Sequence, residues 1–138
     1  MPLPAMLLAV VFVTLAGVHF GWALSGNMAL EKVVPTRAGK ALFSPGRTAT
    51  LGVAFLLLAA AFVSVWRGAA VGAGLRWAPR VGVWMIAALF AARAIGDFNY
   101  CGFFKRVRGT SFARNDTLVY SPLCAGIAAL AVWLSVAY

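Results

Sequence analysis

The sequence is poor in charge, and in acid above all. Only three of its 138 residues are Asp or Glu, one is His, and charged residues make up 11% of the chain. A soluble domain carries about 25% charged residues. With 63% hydrophobic residues and a mean hydropathy of +0.91, so short a chain would leave too much apolar surface in water. An ordinary cytosolic enzyme, a secreted disulfide scaffold and a disordered chain are excluded. The two cysteines, Cys101 and Cys124, lack the paired arrangement of a membrane thiol oxidoreductase, and no Cys/His cluster has zinc spacing. A single histidine cannot bind a haem between two helices through paired imidazoles. A Walker loop, a dinucleotide fingerprint, HExxH and GxSxG are all missing. The expected metal and cofactor complement is therefore none.

What is present is long apolar runs and basic residues. Twelve Lys and Arg give a net charge of +9. No aromatic-basic surface supports a nucleic-acid partner; at this hydropathy the basic residues mark one face of a membrane protein. A transmembrane helix needs about 20 mostly apolar residues, and four stretches qualify: Leu3–Leu24, Thr48–Trp66, Val81–Asp97 and a last one ending at Tyr138. The last starts near Pro122 or, to be long enough, near Leu118. Period-2 alternation is absent, so the expected fold is an all-α bundle of four transmembrane helices in one domain. Ala23-Leu24-Ser25 resembles a signal-peptidase site, but no basic residue precedes the first run and the run is too long for a signal peptide.

With four spans, the loops Ser25–Arg47 and Phe98–Tyr120 share one side, and the termini and the loop Arg67–Arg80 share the other. Lys32, Arg37, Lys40, Arg47, Lys105, Arg106, Arg108 and Arg114 lie on the first side, against Arg67, Arg76 and Arg80 on the second, eight to three. The positive-inside rule puts the long loops in the cytoplasm and the termini outside. Ser44-Pro45 and Ser121-Pro122 each read as an N-cap before a first-turn proline. Trp66, Trp77, Trp84, Tyr120 and Tyr138 fall where interfacial aromatics are expected. The Gly/Ala-rich stretch Gly68–Gly74 reads as a flexible outer loop.

Those two Ser-Pro pairs also belong to a candidate internal repeat. His19-Phe20-Gly21-Trp22 lines up with Asp97-Phe98-Asn99-Tyr100, Arg37 with Arg114, and Phe43-Ser44-Pro45 with Tyr120-Ser121-Pro122, at an offset near 78 residues. The unit would be a helical hairpin, the two copies related by an axis along the membrane normal. It would set His19 and Asp97 at equal depth, about one turn inside the cytoplasmic interface.

Few polar groups interrupt the spans. Arg93 and Asp97, four residues apart, share a helix face, and charge inside a span tends to be paired and to face the bundle interior. Two readings stand. In one they form a local ion pair that snorkels to the interface. In the other Asp97 also meets His19, fixes its tautomer, and the two act as a polar pocket. Trp22 and Tyr100 would then form the mouth, with Arg93 completing the cluster. His19 also fits a plain bond to a backbone carbonyl, and Trp22 an interfacial anchor. Lys105, Arg106 and Arg108 read either as the positive-inside signal or as a site for anionic lipid headgroups, with Phe103 and Phe104 dipping into the headgroup layer. Asp116 reads as a cap or loop ion pair, and Cys101 and Cys124 as free thiols in a reducing compartment.

Several stretches in order carry a resemblance: Pro35-Thr36-Arg37, Phe43-Ser44-Pro45-Gly46, Arg93-Ala94-Ile95-Gly96-Asp97-Phe98, Gly102-Phe103-Phe104-Lys105 and Tyr120-Ser121-Pro122-Leu123-Cys124, with His19 and Trp22 ahead of them. Together they resemble a family of small bacterial four-helix membrane proteins described as a domain of unknown function. The resemblance spans nearly the whole chain and implies a multi-pass inner-membrane protein. It brings no activity, cofactor or catalytic residue. Membrane lipids, anionic headgroups among them, are the expected partners, and small residues in the spans permit helix contacts between copies without specifying them. The residues fit a holder of a lipid or small amphipathic ligand ahead of a membrane enzyme with His19 and Asp97 as acid and base. A transporter ranks last, because the midplane is almost free of polar groups.

Overall fold

The computed structural model of the chain describes residues 1–69 and 77–138. Its elements are α1 (Leu3–Ser25), α2 (Leu30–Val33), a two-stranded hairpin of β1 (Thr36–Arg37) and β2 (Lys40–Ala41), α3 (Arg47–Ala69), α4 (Trp77–Ile95), α5 (Ser111–Asn115), a π-helical turn (Asp116–Tyr120) and α6 (Ser121–Ala137). The fold is the expected all-α one, with the hairpin a minor addition. Among the described residues four helices are long and apolar enough to cross a membrane: α1, α3, α4 and the continuous helix Ser111–Ala137.

Packing follows chain order. α1 lies against α3 and α4 against α6, while α3 meets α4 and α1 meets α6 to close the ring. This is the pairing that two helical hairpins would give. The core runs along the axis through Leu8, Phe12 and Ala16 of α1, Leu57 and Ala61 of α3, Val83 and Ile86 of α4, and Ile127, Ala131 and Leu134 of α6. Phe12 meets Phe90 with ring centroids 5.5 Å apart. Only 28% to 33% of each span is buried within the bundle, so most apolar side chains point outward, as lipid-facing helices require. Between such helices the hydrophobic effect supplies little, and close backbone approach matters instead. Gly68 sits so near Ala5 that any side chain there would overlap its methyl group.

Helix ends differ from the sequence expectation for local reasons. α4 begins at Trp77 and stops at Ile95, short of Asp97, because Gly96 turns left-handed (φ +89°). Its N–H still closes the last turn onto the Ala92 carbonyl (2.8 Å), but a Cβ on Gly96 would collide with the Cys101 carbonyl. The last helix starts at Ser111, well ahead of the expected start. Its N-cap is Thr110, whose hydroxyl accepts from the Ala113 N–H (3.0 Å). Ser121 is therefore mid-helix and caps nothing. Its N–H donates to the Asp116 carbonyl, a bond of π-helical span that widens the turn just before Pro122. Pro45 likewise lies outside α3, which opens at Arg47. Arg67, expected in a loop, is in the last turn of α3 and only 4% exposed. The expected outer-loop stretch from residue 70 to Arg76 lies outside the described residues.

Candidate functional site

A charge inside an apolar bundle needs partners, since leaving it unpaired costs several kcal/mol. Arg93, in the last turn of α4, faces the π-turn, and its Nη2 donates to Asp116 Oδ1 at 2.8 Å. Asp116 Oδ2 accepts from the Lys105 ammonium (3.0 Å), the Gly102 N–H (2.8 Å) and the Ser121 hydroxyl (3.2 Å). The side chains of Asp116 and Lys105 are both 0% exposed. Lys105 Nζ also donates to the Gly102 carbonyl (2.9 Å) and the Thr117 hydroxyl (2.6 Å), so its three N–H groups meet three acceptors. The Thr117 hydroxyl passes its own proton to the Ala113 carbonyl (3.0 Å). One carboxylate thus ties α4, the following loop and the last helix together. Arg93 Nη1 is buried with no hydrogen-bond partner.

Beside this cluster lies a cleft of about 360 Å³ between the two hairpins. Leu15, Val18, Val53, Leu57, Phe90, Leu123 and Ile127 make most of its wall, and His19, Trp22, Arg93, Tyr120 and Cys124 supply the polar atoms. Val33 and Phe112 close one side. A second cleft of about 310 Å³ shares His19, Trp22, Val33 and Val53 and runs toward Met28 and Phe43. Tyr120 helps to fix the entrance: its hydroxyl donates to the Lys32 carbonyl (3.0 Å), which Asn115 also reaches (3.3 Å). The two long loops are thereby joined at one end of the bundle.

The expected site residues divide between these features. His19, Trp22 and Arg93 come together around the cleft. The His19 ring meets Trp22 edge-on (centroids 5.1 Å apart), and its Nδ1 is hydrogen-bonded to the Leu15 carbonyl (2.8 Å). Asp97 is exposed, and the expected Arg93–Asp97 pair and His19–Asp97 bond are absent among the described residues. The helical spacing that would align Arg93 with Asp97 ends at Gly96. The Asp97 carboxylate turns instead onto the N–H groups of Asn99 (3.0 Å), Tyr100 (2.8 Å) and Cys101 (2.9 Å). Aligned in the repeat, His19 and Asp97 stand in different local structures, one inside a helix and one beyond it. Tyr100 is half-buried in that turn, away from the cleft lining. Lys105 is not a headgroup cation but an internal ion, and it parts company with Arg106 and Arg108, which are exposed.

Asp116, expected as a cap or loop ion pair, has the loop partner in Lys105, but its pairing with Arg93 is what sequence reasoning passed over. Its partner on α4 is 23 positions away, a separation no helical period encodes. A usable signal existed: the chain has three acids, Arg93 needs one, and Asp116 sits one turn before an apolar run. Burial pushes the Asp97 carboxyl up, but the three backbone donors outweigh it and hold the group below the usual carboxylate range. Burial pushes the Cys101 thiol up, only partly offset by Arg93, which leaves it a poor nucleophile. Among the described residues no three of His, Cys, Asp and Glu gather as a metal-holding group.

Residues 12–131 match the model of a family described as a protein of unknown function, DUF3995. No curated protein is significantly similar to the chain. No solved structure is either.

Proposed function

The chain belongs to this family of unknown function, and from that premise we propose that it is a multi-pass inner-membrane protein that holds an amphipathic ligand bearing one negative charge. The ligand's apolar part lies in the cleft between the hairpins and its head against Arg93. The long basic loops face the cytoplasm and the termini face outside, in keeping with the distribution of basic residues.

The observation that carries this reading is an apolar cleft of about 360 Å³ with a guanidinium in its wall. That volume is in the range of small-molecule sites, which are mostly apolar with a few placed polar groups. Arg93 and Lys105 together bear two positive charges against the single negative charge of Asp116. One anionic head would balance the cluster. The Arg93 side chain is 34% exposed, enough to meet a ligand while Nη2 stays on Asp116. His19 and Tyr120 add hydrogen-bonding groups to the same wall. An acid–base pair of His19 and Asp97 finds no support in this geometry, since each is engaged by nearby backbone.

The test is mass spectrometry of the protein purified gently from membranes. A stoichiometric amphiphile should accompany the wild type. It should be lost from Val53→Trp, which fills the cleft from a partly exposed position, and should be depleted at least tenfold in Arg93→Met. A wild-type protein that carries no such molecule, or a Val53→Trp variant that keeps it, would replace the ligand holder by a bare scaffold. For the topology, alkaline phosphatase fused to the C-terminus should be active, and an inactive fusion would reverse the orientation.

A further inference from the structure

The loop between α4 and α5 carries a second feature, independent of the cleft. Its interior is pinned: Gly102 and Lys105 are held by Asp116, the Phe103 N–H donates to the Ala94 carbonyl (2.8 Å), and the N–H groups of Arg106 and Val107 converge on the Asn99 carbonyl (3.1 and 2.9 Å). With Lys105 fixed inward, its neighbours are turned out. Phe98 and Phe104 are 55% and 62% exposed, and their rings lie 6.5 Å apart. Phe98 adopts a left-handed backbone (φ +63°), which an aromatic residue rarely does. Arg106 and Arg108 of the same loop are exposed, and the Arg108 guanidinium is drawn back over the segment by a bond to the Phe103 carbonyl (3.2 Å). Among the described residues the ion pairs are Arg93–Asp116 and Lys105–Asp116, so neither arginine has a carboxylate counter-ion there.

We propose that Phe98, Phe104, Arg106 and Arg108 form a docking surface for the headgroup of an anionic phospholipid in the bilayer around the protein. The surface follows directly from the end of α4, whose last residue, Ile95, is exposed and apolar. On a helix that crosses the membrane, this places the phenyl rings at the hydrocarbon border and the guanidinium groups one layer out. There they meet phosphate oxygens, to which a planar guanidinium can donate two parallel hydrogen bonds. Lys105 takes no part, although it stands in the same basic run. The run is divided in two: one cation holds the fold and two face the lipid.

The experiment titrates the full-length protein in neutral detergent with phosphatidylglycerol or phosphatidylcholine and reads bound lipid by native mass spectrometry. The wild type should prefer phosphatidylglycerol. Each arginine near an anionic surface contributes about a fivefold preference. Arg106→Gln should therefore lower phosphatidylglycerol affinity about fivefold, and the double variant with Arg108→Gln about twenty-fivefold, with phosphatidylcholine binding unchanged. The double replacement by lysine, which keeps the charge and loses the paired hydrogen bonds, should retain part of the preference, and thermal melting should stay near wild type in Arg106→Gln. Undiminished preference in the double glutamine variant would overturn the proposal. So would an equal loss in a control with Arg37→Gln and Lys40→Gln on the hairpin, which would mean charge without a site. Val53→Trp separates this surface from the cleft: it should leave phosphatidylglycerol binding intact. If it alone abolishes that binding, the lipid belongs to the cleft and the docking surface is wrong.

Discussion

The two long loops occupy equivalent places in the apparent repeat and both turn through left-handed residues, yet they are held differently. Residues 26–46 are shaped by backbone: a left-handed Gly26 at the end of α1, one turn of helix, and a tight hairpin whose Ala38 and Gly39 both have positive φ. Residues 96–110 are shaped by a buried ion cluster that reaches them from two helices. The first loop leaves open space around Trp22, which lines three adjoining clefts. The second is closed over Asp116. The comparison teaches that hairpins of similar length and pattern can divide the work. At this one end of the bundle, one loop is locked by charge and its counterpart is left able to admit something.

The sharpest way to break this comparison is to remove the lock. Asp116→Asn would leave Arg93 and Lys105 without their anion in a low-dielectric site. The expected loss is about 3–5 kcal/mol, read by thermal or denaturant unfolding in mild detergent. Asp97→Asn should cost about 0.5 kcal/mol or less, because an amide oxygen can still accept from the Asn99, Tyr100 and Cys101 N–H groups. Equal effects at the two acids would mean that Asp116 is not the organising residue.

Asp97 makes a pH-dependent contribution of its own. Its folded pKa lies below the usual carboxylate value, so the stability it lends is fully present above that value and is lost as pH falls through the folded pKa. The turn at residues 99–101 should therefore open below about pH 4, seen as faster amide exchange relative to intrinsic rates. The Asp97→Asn variant should lack that acid-dependent step. A step that persists in the variant would assign it to another group.

The smallest effect belongs to the first loop. Ala38 holds φ +51° in the hairpin turn, a conformation that favours glycine. Ala38→Gly should raise stability by under about 1 kcal/mol, measured by unfolding, and should leave the Asp116 cluster untouched. A destabilised variant would show that the turn is held by something other than its backbone preference.

Much of the architecture was legible because it depends on short-range pattern. Four apolar runs, their Pro and Gly punctuation and the absence of alternation define four helices and their order. The polar site was only half legible. His19, Trp22 and Arg93 were found because polarity within an apolar run stands out. Asp97 reads as holding the role that Asp116 holds, because helical periodicity carries two residues past Ile95, where the helix has already stopped. Lys105 was grouped with Arg106 and Arg108 because a sequence shows a charge but not which way it faces. Long-range pairing, such as that of Arg93 with Asp116, depends on how the hairpins assemble, and local pattern does not contain it.

Hydrogen–deuterium exchange of the whole protein in detergent, comparing residues 96–110 with residues 26–46 in wild type and in Asp116→Asn, tests the central claim most directly. In the wild type the amides of Gly102, Phe103, Arg106 and Val107 should be strongly protected and the first loop much less so. Asp116→Asn should abolish protection in the second loop and leave the first as it was. Equal protection of the two loops in the wild type, or a second loop indifferent to the loss of Asp116, would contradict the account.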